Sequence, residues 1–134
     1  MLELVRGSVI WARPDFTVGR EQDGHRPSVV VASAAYLSVV DALAIVVPIT
    51  GRERGWPNHI PLTGEHGLHE ASWAMTEQIH AISRSRITKV SGTVDQGTLS
   101  AIDRWLRDFL DLSGSQLAPD DLTSRLLNDP EHRQ

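Results

Sequence analysis

Three short segments hold residue types suited to chemistry at neutral pH: Gly24-His-Arg-Pro-Ser-Val-Val-Val31, Val47-Pro-Ile-Thr-Gly51 and Trp73-Ala-Met-Thr-Glu-Gln-Ile79. In the first, Arg26 stands immediately before Pro27, whose ring drives the preceding backbone toward an extended shape. A valine run that wants burial follows, so the guanidinium is anchored at a rim. Such a guanidinium can hold a phosphate through two parallel hydrogen bonds and stays charged at any working pH. Thr50 closes the second apolar run, and its hydroxyl can donate to a phosphate oxygen or to a nucleophile. His25 carries an imidazole that could serve as acid or base. Each also has a plainer reading: a surface ion pair for Arg26, a strand former for Thr50 and a solvated loop side chain for His25.

His59, His66, His69 and Glu70 form the one cluster with metal-ligand chemistry, but their spacing fits no zinc pattern, since no strand or helix register puts the three histidines on one face. No metal site is expected. His59, beside Ile60-Pro-Leu62, could instead hydrogen-bond a base or a phosphate. Of the four tryptophans, Trp11 and Trp73 fall within strands and Trp105 on the apolar face of a helix, which assigns them to the core. Trp56, between Gly55 and Pro57, is the expected exposed ring. With Arg52 and Arg54 it makes a loop that could grip the backbone of a single-stranded nucleic acid, or simply a charged surface turn.

Short segments rich in β-branched residues must carry these groups: Gly7–Ala12, Ser28–Ala32 and Leu43–Val47, with weaker candidates at Ile60–Leu62, Ser72–Met75 and Val90–Val94. Close spacing and intervening turns predict a small barrel or a strongly bent sheet, and no long helical segment separates the strands as a parallel arrangement requires. Pro14–Gly24 is a polar loop long enough to cross an open face. Asp95 is placed to cap a helix whose Leu99, Ile102, Trp105, Leu106, Phe109 and Leu110 recur on one face, ending near Leu112. Ser113-Gly-Ser115 then reads as a linker, and 120–127 as a short helix that is marginal unless it docks.

The whole chain, 134 residues without cysteine, suits one folded domain over residues 1–112 with an acidic extension over 113–134. It has no disulfide framework, thiolate metal site or cysteine nucleophile. No apolar run reaches the length of a membrane span, and the first residues lack the order of a signal peptide, so a soluble, cytoplasmic protein with no membrane partner is expected. The net charge of −4 argues against a strongly basic nucleic-acid binder. Its distribution changes that argument: residues 1–94 hold nine basic and nine acidic residues, and residues 95–134 hold four and eight.

The order Arg6-Gly-Ser-Val-Ile-Trp11, Gly19-Arg-Glu-Gln22, Gly24-His-Arg-Pro27, Val47-Pro-Ile-Thr50, His59-Ile-Pro61, Glu77-Gln-Ile79 and Ile82-Ser-Arg-Ser-Arg-Ile87 resembles the MazF/PemK family of toxin endoribonucleases, from about Val5 to Leu112. The resemblance implies a mainly β, SH3-like barrel with a C-terminal helix. It also implies a homodimer, and sequence-specific cleavage of single-stranded RNA without a metal or other cofactor, leaving 2′,3′-cyclic phosphate and 5′-hydroxyl ends. Arg26 and Thr50 fall on the family's catalytic positions. Glu21 and Gln22 fall on the loop beside the RNA groove, and Gln78 near it. The RNA-binding set is thus Glu21, Gln22, His25, Arg52, Trp56, His59 and Gln78, with the base being His25, Glu21 or the RNA itself. A small MazE-like antitoxin would block the groove with an acidic tail. His80 stands where the family often has arginine. A related barrel serves non-enzymatic toxins that bind a protein such as gyrase, which is the alternative function. The acidic extension could itself fold back on a groove, in which case its deletion raises RNA cleavage; otherwise it is passive.

Overall fold

In the computed structural model, which describes residues 2–14, 25–112 and Leu126, the elements run β1 (Ser8–Ala12), β2 (Arg26–Val30), α1 (Ala34–Val39), β3 (Leu43–Thr50), β4 (His59–Pro61), β5 (Trp73–Met75), β6 (His80–Ser83), β7 (Ile87–Thr93) and α2 (Gln96–Leu110). Single 3₁₀ turns at Thr76–Gln78 and Arg84–Arg86 link β5 to β6 and β6 to β7. Every strand pair is antiparallel, in the order β4-β5-β3-β2-β1-β7. The first half of β3 pairs with β6 and its last two residues pair with β5. Pro48 sits between those stretches, where a missing backbone N–H interrupts neither ladder. The expected end at Val47 is therefore overrun: β3 continues through the proline to Thr50.

The sheet is barrel-like without closing, since β4 and β7 are edges among the described residues. Register shifts between Val9 and Ile10 and between Trp11 and Ala12 bend β1 against β7. Side chains alternate across the sheet and feed two cores. One face sends Val9, Val29, Val47, Ile49, Ile60 and Ala74 under α2, whose Leu99, Ile102, Trp105 and Leu106 are buried on them. The other sends Ile10, Val30, Ala44, Val46 and Ile82 against Leu4 and Leu37 of α1.

Helix α2 begins as expected. Asp95 accepts from the Thr98 N–H at 2.9 Å, and the Thr63 hydroxyl donates to the same carboxylate at 2.8 Å. These bonds, the Thr98 N–H first, hold the Asp95 carboxyl below the ordinary range. The helix ends at Leu110, where Asp111 adopts a left-handed conformation that aspartate tolerates (φ 56°). Leu110 is 54% exposed and does not join the apolar face assigned to it. The expected strand Ser28–Ala32 is displaced to Arg26–Val30, because Val31 to Ser33 turn toward α1, a helix that the sequence reading passed over. No described helix is long and apolar enough to cross a membrane.

Candidate active site

The displacement of β2 matters because it brings Arg26 into the sheet. Ser28 pairs with Pro48, Val29 with Val47 and Val30 with Val46, and continuing that register by two residues sets Arg26 opposite Thr50. Arg26 also pairs with Ala12, and Thr50 with Trp73, which in turn pairs with Pro61. Ala12 pairs onward with Ile87. Two runs of cross-strand partners, Pro61–Trp73–Thr50 and Arg26–Ala12–Ile87, are thus brought level in one row across six strands by the continued β2–β3 register. Members of such a row project from the same face, with neighbouring Cα atoms about 4.5–5.5 Å apart.

That face is the one opposite α2. Deeper along it, Val30 and Val46 are buried under α1, whereas Arg26 is exposed and Thr50 half-buried. The Thr50 oxygen accepts the Arg52 N–H at 3.1 Å, so the hydroxyl proton is directed elsewhere. A guanidinium next to a hydroxyl with an available proton can bind and polarise one phosphate. His25 is exposed just before β2, and the exposed Arg52 side chain leaves the chain just after Thr50.

A second group flanks this row. His59, at the start of β4, is buried at 5% exposure, and its Nε2 lies 3.0 Å from both Glu77 carboxylate oxygens. Asn58 Nδ2 donates to Glu77 at 2.8 Å, while the Thr76 hydroxyl donates to the Asn58 carbonyl at 2.7 Å. His59 Nδ1 is buried with no hydrogen-bond partner among the described residues. The Trp56 ring leans on His59, centroids 4.7 Å apart and tilted 43°, with the Arg54 guanidinium 5.7 Å from the indole centroid. Trp56 is thus half-buried in a stack and not the exposed ring expected. His59, expected at a rim, is enclosed, and its hydrogen bonds tie the 51–58 loop to the turn carrying Glu77 and Gln78.

Gln78 is exposed in that turn, its amide near Glu77 and the Met75 sulfur. His80 lies on β6 with its Nδ1 against the Gln78 carbonyl at 2.9 Å. Glu21 and Gln22 lie outside the described residues. Among the described residues, no three His, Cys, Asp or Glu side chains come together as a metal site requires. His66 instead accepts the Leu68 N–H within its own turn.

Two assignments to the core change. Trp11 packs under the Lys89 ammonium, 5.2 Å from its ring centroid, and Trp73 stands in the row beside Thr50; neither belongs to either buried cluster. Glu77 is the group that sequence reasoning left without a role, although its neighbours Gln78 and Ile79 drew attention to the segment.

Residues 5–110 match the family model described as PemK-like, MazF-like toxin of type II toxin-antitoxin system. The endoribonuclease toxin MazF of Escherichia coli K12 is 33% identical over 97 residues, covering 72% of this chain and 84% of that protein. A chain of the Deinococcus radiodurans MazE-MazF complex (Form-II) superposes with a TM-score of 0.70 at 25% identity, covering 82% of this chain and 97% of its own. The fold is also that of an endoribonuclease solved with its cognate antitoxin from mycobacterial species, at 19% identity, a TM-score of 0.64 and coverage of 86% and 100%.

Proposed function

The chain belongs to the PemK-like, MazF-like toxins of type II toxin-antitoxin systems and is an endoribonuclease, and from that premise we propose that it cuts single-stranded RNA at specific sequences through Arg26 and Thr50. The register of β2 and β3, which when continued from Ser28 and Pro48 brings Arg26 level with Thr50, supports the reading. Transesterification needs the attacking 2′-oxygen to lose its proton, the five-coordinate phosphorus to have its charge stabilised, and the 5′-oxygen to be protonated as it leaves. With the 2′-proton passing to His25, Glu21 or the RNA itself, and the departing 5′-oxygen protonated by that same acid or by water, Arg26 supplies the positive charge at the phosphate. It stays protonated and is no base. Thr50, its oxygen held by the Arg52 N–H, orients a phosphate oxygen by donating to it. Attack from the neighbouring 2′-oxygen leaves a 2′,3′-cyclic phosphate and a 5′-hydroxyl, and a guanidinium supplies the charge without a metal.

Arg52, Gln78 and His25 are exposed around the row and suit contacts to the RNA backbone and bases. The enclosed His59 and the stacked Trp56 are recast as supports of the 51–58 loop. A MazE-like antitoxin is the proposed partner, supported by relatives solved in MazE-MazF complexes, and the acting species is proposed to be a cytoplasmic homodimer. The non-cleaving, gyrase-type alternative predicts instead that RNA stays intact. Incubation of pure protein with RNA in EDTA tests the proposal: cleavage with 5′-hydroxyl ends is expected, and intact RNA, or cleavage only with added metal, overturns it. Mapping those ends also gives the recognised word.

A further inference from the structure

Trp73 is in an unusual position for so large an apolar side chain. It is half-buried, yet it packs in neither core cluster. Among the described residues its indole makes no ring contact, no cation contact and no hydrogen bond. The register fixes its place: directly opposite Thr50, one strand further from Arg26, on the face away from α2. Pro61 is its partner on the other side, in β4.

An indole half-buried outside both core clusters can offer a face to a ligand, and its residue pairs directly with Thr50, whose hydroxyl is proposed to orient a phosphate. We infer that Trp73 is a stacking platform for an RNA base adjoining the phosphate held by Arg26 and Thr50. The inference rests on the function proposed above. A bound phosphate between β2 and β3 puts the base of an attached nucleotide over β5, where the ring stands. Every base has a π-face, so this contact adds affinity and orientation without choosing the base. Its loss is therefore expected in KM and not in the cleavage word.

The test compares Trp73→Val, which keeps a strand-forming residue and removes the ring, with Trp73→Phe, which keeps a π-face. Two readouts are used: cleavage kinetics on RNA, and tryptophan emission on titration with mixed-sequence 2′-O-methyl RNA, whose blocked 2′-oxygen prevents cutting. Trp73→Val is expected to raise KM and weaken binding about 5- to 150-fold, with kcat and the cleavage sites kept. Trp73→Phe is expected to restore most of the affinity while abolishing the part of the emission change that the wild type shows. Wild-type binding by Trp73→Val, a loss in kcat alone, or no recovery with Trp73→Phe overturns the inference. The two failures are separable: uncut RNA with the wild type counts against the proposed chemistry, whereas the titration reports on Trp73 without cleavage.

Discussion

Removing the Arg26 guanidinium is expected to lower RNA cleavage about 100- to 1000-fold, the usual cost of one well-aimed electrostatic donor. Arg26 is exposed at the start of β2, so Arg26→Ala should leave the melting temperature near that of the parent chain. Cleavage at the parental rate by a folded Arg26→Ala protein would remove the residue from the mechanism. Thr50 separates hydroxyl from shape: Thr50→Ser keeps the donor and should retain most activity, while Thr50→Val keeps the branched strand former and should lose it. Gel-based rates for the pair check this. At this scale the sequence was most legible where a residue's type is its chemistry, as for Arg26 and Thr50. It was least legible for His59, because burial depends on which residues meet it, and Glu77 lies 18 positions away in the chain. Trp73 misled for a related reason, since a strand tryptophan faces a core or a cleft according to a register that periodicity does not specify.

Elements were read well where the signal is local. The cap at Asp95 and the apolar stripe from Leu99 to Leu106 are short-range patterns, and α2 follows them. Pairings made across long stretches of chain were not readable, among them the shift that draws Arg26 into β2. The Asp95 cap makes an acid-side prediction. Its carboxyl is held below 3.8 chiefly by the Thr98 N–H and then by the Thr63 hydroxyl. Its stabilisation is thus fully present above the unfolded-state value and is lost as pH falls through the lower folded-state value. Asp95→Asn keeps a capping oxygen but cannot titrate. The difference in melting temperature between wild type and Asp95→Asn is expected to shrink on acidification; a constant difference would remove Asp95 from the acid response. A second test concerns the 62–67 segment laid over β7. A Cβ added at Gly92 would stand 2.1 Å from the Glu65 carbonyl oxygen, so backbone must move. Gly92→Ala is expected to cost about 1–3 kcal/mol in urea unfolding.

For the whole molecule, the division of charge agrees with the division of faces: the sheet face carrying Arg26 belongs to the neutral part of the chain, and the acidic surplus starts at α2. RNA binding should accordingly involve few phosphates and weaken modestly with salt. Stability depends on the cluster under α2. Ile102 is fully buried there, and Ile102→Ala is expected to cost about 2–5 kcal/mol by denaturant titration. Leu126 packs against the same cluster, on the face away from Arg26 and Thr50. Deleting 113–134 is therefore expected to lower stability by about 1 kcal/mol and leave the cutting rate unchanged; a faster rate would instead mean that the extension obstructs the site. The six-strand row also has a consequence during synthesis. Arg26 and Thr50 leave the ribosome early, but their sheet is completed only by β7 and covered only by α2, about 60 residues later. At typical elongation speeds of about 5–20 residues per second, that gap is about 3–12 s. A nascent chain therefore holds its reactive pair unassembled while it is still on the ribosome, beside single-stranded RNA of the kind that the finished protein is proposed to cut.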